Sequence, residues 1–119
     1  MNTVNIKEKL SQCPDYWNPR IIAEVNDCCL KAVKFQGDFI WHHHDNEDEL
    51  FLVVKGKLRM KFRGHESIVN EGEFVVVPRG VEHCPVADEE VHVILIEPKS
   101  TLNTGNITNE RTVAQLERI

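Results

Sequence analysis

The chain has 119 residues, 41% hydrophobic and 28% charged, with a net charge of −5 at neutral pH. That length suits one domain over residues 1–119, and no window reaches the about 18 apolar residues of a membrane span. The acidic balance leaves no basic stripe for phosphates, so neither nucleic acid nor an anionic membrane is an expected partner.

Residues 1–19 form an N-terminal segment. In NIKEKLSQ, Ile6 and Leu10 stand four apart, enough for a short amphipathic helix ending before Pro14. The start lacks the apolar stretch of a secretory signal, and a cytoplasmic location is expected. CPDYWNPR reads as an irregular connection.

From residue 20 to about 98 the pattern changes to short strand-like runs: IIAEV, LKAVKF, FIWHHH, ELFLVVK, KLRMKF, ESIV, EFVVVP and VHVILIEP. Turn signals separate them, among them FQGD, VKGK, FRGH, PRGVEH and ADEE. Short strands at such intervals, with no helix between, indicate an all-β sandwich or barrel.

Alternation assigns the faces. In KLRMKFRG, Lys57, Arg59, Lys61 and Arg63 share a wet face, while Leu58, Met60 and Phe62 share the other. ELFLVVK and VHVILIEP are apolar at odd and even positions alike, so both faces need cover. The N-terminal segment, the C-terminal tail or a second subunit could supply it, and a homodimer is the favoured arrangement. The tail, residues 99–119, starts polar and then carries Val113, Leu116 and Ile119 behind a cap at Thr108 or Asn109, the pattern of a short closing helix.

The stretch WHHHDNEDELF holds the candidate chemistry. On a strand, His42 and His44 point one way and His43 the other. Glu49 shares its face with Phe51 and Val53, and a carboxylate among apolar side chains must be paired, hydrogen-bonded or bound to a cation. His83 lies far along the chain, after the turn Pro78-Arg79-Gly80. The cysteines Cys13, Cys28, Cys29 and Cys84 have no metal-site spacing and read as free thiols. If the segment is extended, Cys84 should point away from the face His83 takes.

With these residues in place, the chain resembles the small single-domain members of the cupin superfamily. The first motif is matched by Gly37, His42, His44, Glu49 and Gly56, with the first glycine one residue too near. A frame led by His43 corrects that spacing but makes Asp45 the second ligand. The second motif is matched at Gly72, Pro78, Gly80 and His83, with Ala87 where an asparagine is frequent. A WHxHxxxDELF block and an LNTG tail are shared with small uncharacterised members.

The resemblance implies a double-stranded β-helix, or jelly-roll, barrel and a divalent metal (Fe, Mn, Ni, Co or Zn) on His42, His44, Glu49 and His83. Glu47 or Asp48 is a candidate partner for a ligating imidazole. Phe51, Val53, Met60 and Phe62 are the expected pocket lining, suited to a small, partly apolar or aromatic ligand. Such a site supports oxygenase chemistry or Lewis-acid isomerase and lyase chemistry, and the alternative is a non-catalytic binding or sensor module. A phosphorylated sugar is disfavoured, because the basic residues of KLRMKF face outward.

Overall fold

The computed structural model describes residues 1–119. Helix α1 (Ile6–Ser11) is capped by Asn5, whose side chain accepts from the Glu8 amide, and it buries Leu10. Seven strands follow: β1 (Arg20–Val25), β2 (Cys28–Asp38), β3 (Glu49–Lys55), β4 (Leu58–Phe62), β5 (His65–Val69), β6 (Phe74–Val77) and β7 (His83–Pro98).

The pairings among these seven strands are all antiparallel, and β7 organises them. Its later half lies between β2 and β3 in the order β1-β2-β7-β3-β6, and its first residues pair with β4, which carries β5. The barrel core between these layers is built from alternate residues, including Val33, Phe35, Phe51, Val53, Leu58, Met60, Val91, Val93 and Leu95. This is the expected all-β jelly-roll barrel.

Three expected elements differ. FIWHHH is not a strand: after Asp38 pairs with Val86, the Phe39 amide still donates to the Pro85 carbonyl, and the next pairing with β7 is the isolated bridge His42–His83. That bridge is one residue out of the preceding register, so residues 40–41 bulge. ADEE is not a turn but part of β7. There the β2 register jumps from Phe35–Val91 to Gly37–Ala87, and the exposed Asp88, Glu89 and Glu90 bulge where β7 bends from one layer to the other.

The closing helix is absent as well. The Val113 amide donates to Asn103 Oδ1 and the Arg111 carbonyl accepts from Asn103 Nδ2, which commits backbone groups a helix would use. The chain ends as one parallel rung beside β1, with the Ile21 amide on the Glu117 carbonyl and the Ile119 amide on the Ile21 carbonyl.

The outer face of the apolar strands is covered in part by the chain itself. Leu10, Cys13, Ala32 and Ile94 form a second small core, against which Ile22, Leu52, Val54, Ile96 and Ile119 pack. Toward the β6 edge the cover stops, and Phe74 and Val76 are exposed beside Leu52 and Leu50. No helix is long and apolar enough to cross a membrane.

Candidate metal centre

Four side chains from three parts of the chain meet inside the barrel. Glu49 opens β3 on its inward face, His83 opens β7, and His42 and His44 come from the connection between β2 and β3. All four are buried, and their candidate ligand atoms lie within 4.8 Å of one another. His44 Nε2 is 3.1 Å and His83 Nε2 3.4 Å from Glu49 Oε1. The imidazoles of His42 and His83 are tilted against each other with centroids 4.3 Å apart.

Hydrogen bonds fix how the rings present themselves. His42 Nδ1 is 2.9 Å from the Ile40 carbonyl and His83 Nδ1 is 2.9 Å from the Val81 carbonyl. A carbonyl only accepts, so both Nδ1 atoms carry the proton and both Nε2 atoms keep a lone pair. His83 Nε2 is buried and has no hydrogen-bond partner. A buried nitrogen lone pair converging on a carboxylate and two further imidazoles is what a divalent cation would satisfy. The donor set therefore fits the metal that the sequence implied.

The electrostatics point the same way. Burial, reinforced by neighbouring His83, lowers His42 to about 4, so at neutral pH it is a free base. Burial alone would raise Glu49, but the His44 imidazole and the other buried groups that face it outweigh that and hold the carboxyl far below the usual range. Neutral imidazole and ionised carboxylate are the ligating forms.

The rival frame is resolved. His43 Nε2 pairs with Asp45 Oδ1 at 2.9 Å at the surface, where the Asp45 side chain is 73% exposed. Trp41 also lies outside, beneath the Arg63 guanidinium at 3.8 Å. Neither acidic neighbour reaches a ligating ring: Glu47 accepts from Ser100 and Asp48 from the Arg79 amide. Cys84 stands across from Lys61, on the face opposite that of Met60 and Phe62, and burial raises its thiol.

The lining differs from the expectation. Of the four residues named, Phe51 faces the cavity beside the centre, together with His42 and Glu49. Val53 and Met60 are fully enclosed in the packed core, and Phe62 is half-buried against it and stacks on His65. The parity was right, but those positions lie deeper along the barrel, where side chains fill the interior. The remaining walls are Trp17, Pro19, Phe35, Phe39, Pro85, Leu95 and Asn103. Trp17 stacks on Phe35 at 4.2 Å and on Phe39 at 4.8 Å.

A buried ion pair also adjoins the centre. One step beyond the Leu50–Ile96 pairing, Glu97 lies across from Glu49, and its Oε1 accepts from Lys31 Nζ at 2.7 Å. Burial and the facing Glu49 charge push the Glu97 carboxyl well above the usual range, while Lys31 pulls the other way. Lys31 is thus a basic residue on the inner wall, but it is already paired.

Comparison with known proteins agrees with this geometry. A crystal structure of a cupin-2 domain containing protein from Shewanella frigidimarina is 43% identical, with a TM-score of 0.80 over 82% of this chain and 95% of that one. Protein NMB1881 from Neisseria meningitidis is 33% identical, with a TM-score of 0.75 over 82% of this chain and all of that one. The uncharacterized protein YdbB of Bacillus subtilis is 38% identical over 63 residues, which span 52% of this chain and only 56% of that protein. The family model of the cupin domain matches residues 32–97, a stretch that takes in all four convergent side chains, and the chain belongs to the cupin family.

Proposed function

We propose that the protein binds one divalent first-row metal through His42, His44, Glu49 and His83 and acts on a small, partly apolar or aromatic molecule in the adjoining cavity. The observation that carries this reading is the buried, unpartnered Nε2 of His83, aimed at three other donors. When bound, such an ion supplies Lewis-acid or redox chemistry of the oxygenase or isomerase and lyase type.

The protein's own groups shape what can approach. The Ile40 and Val81 carbonyls hold the His42 and His83 rings in one tautomer. Trp17, Phe35, Phe39 and Phe51 keep the approach apolar and limit water. The room left beside His42 and Glu49 is about 20 Å³, space for a water or two.

A second reading, a non-catalytic binding module, is favoured by the shortage of free acid–base groups. Tyr16 is bound to Glu90 outside the cavity, and Glu97 is held by Lys31. Metal analysis of protein purified without added metal, followed by small-molecule screening with oxygen uptake and product detection, separates the two. Turnover lost in His83→Ala supports the enzyme, and ligand binding without turnover supports the module.

For the uncovered sheet face we propose a second copy of this chain as the occupant. Phe74 and Val76 at the end of the sheet prolong an apolar face that α1 and Ile119 cover only in part, and they add no charge to be matched. An identical apolar patch satisfies such a face through a two-fold axis.

A further inference from the structure

We infer that Asn106, with Gly105 ahead of it, is a positioning residue of the metal centre, acting as the missing neighbouring strand of the ligand segment. The inference rests on the metal reading above and assigns the C-terminal tail a part in that site.

The argument begins with the backbone of the three histidines. They are not on a regular strand, so their peptide groups need partners from elsewhere. His42 exchanges both hydrogen bonds with His83, at 3.1 and 2.9 Å. The His44 carbonyl accepts from the Gly80 amide at 2.7 Å. In an extended segment the groups of His43 point to the opposite edge. There the His43 amide donates to Asn106 Oδ1, and the Asn106 amide donates to the His43 carbonyl, both at 2.9 Å.

Asn106 therefore makes a complete antiparallel rung, its side-chain oxygen replacing a strand carbonyl. The two peptide groups flanking His43 determine where His42 and His44 point. Holding them preserves the in-out-in alternation at a place where no regular strand pairing supports it.

Gly105 allows the close approach. Its φ is +57, and a Cβ there would overlap the His43 carbonyl and come within 3.0 Å of His42 Cδ2. Behind it the tail is braced. Thr104 is fully buried, donates to the Ile107 carbonyl and pairs with Thr112, while Asn103 binds the backbone of Arg111 and Val113. Asn106 itself is exposed, so it can be replaced without opening the core.

The test compares wild type, Asn106→Leu and Asn106→Asp by titrating chelator-treated protein with Zn²⁺ and with Mn²⁺. Metal-free thermal midpoints and His43 amide hydrogen exchange are measured alongside. Asn106→Leu should weaken metal binding by about 10- to 100-fold, as loss of an orienting partner does. It should also speed His43 exchange, with the metal-free midpoint moving by no more than about 4 °C. Asn106→Asp keeps the acceptor and should restore affinity to within about threefold of wild type, against the 10- to 100-fold loss in the leucine variant.

Wild-type affinity in Asn106→Leu overturns the inference and leaves the metal reading standing, as does an equal loss of affinity and stability in both variants. A wild-type protein that takes up no ion overturns the metal reading and this inference with it.

Discussion

His42 links protonation to folding most directly. In the metal-free protein its folded value is about 4 against an ordinary 6.5, so between these values the unfolded chain binds the extra proton. The resulting stability is present above about pH 6.5 and is lost as pH falls toward 4, on the order of 3 kcal/mol in all. Urea midpoints of chelator-treated protein should fall over that interval, and His42→Asn should flatten the fall. A wild-type profile without this slope would contradict the burial argument. At this scale much was legible in the sequence: alternation and the family spacing picked out the four side chains that converge inside the barrel and placed His43 outside. The same parity extends to Lys31 and Glu97, which share the inward positions of Val33 and Leu95, but LKAVKF was read only as a strand-like run and VHVILIEP as an apolar run needing cover on both faces. Trp17 left no periodic signal, since its placement comes from hydrogen bonds to Lys34 and Gln36 across the fold.

Among the elements, α1 is the clearest case of a local pattern with a tertiary purpose. Six residues are too few for an isolated helix, so its stability comes from seating Leu10 over Ala32 and Ile94. Leu10→Ala should cost about 2–5 kcal/mol in denaturant unfolding while leaving metal binding within twofold. A loss below 1 kcal/mol would mean that the helix does not cover the sheet. The strands were legible because each alternates or is apolar throughout. The expected closing helix and the strand over residues 39–44 were not, because side-chain and long-range hydrogen bonds decide them. Asn103 takes backbone groups in the tail, and His83, Asn106 and Gly80 each hold a different histidine. The partners of the histidines are more than thirty residues away, and none of these contacts has a periodicity to read.

For the whole molecule, the barrel brings the two motifs together by making β7 neighbour to β2, β3 and β4 at once. That is why His83 reaches a site whose other donors lie about forty residues earlier. The proposed dimer is tested by light scattering: wild type should run as a dimer, and Phe74→Lys should shift it to monomer without loss of the β-sheet signal. A monomeric wild type would leave the β6 face without its proposed partner. The central claim is the metal centre, and calorimetric titration of chelator-treated protein with Zn²⁺ and Mn²⁺ tests it most directly, with His42→Ala and His83→Ala in parallel. The account predicts one ion per chain for wild type and at least a hundredfold weaker binding in each variant. Absence of binding in wild type, or equal binding in all three proteins, would contradict it.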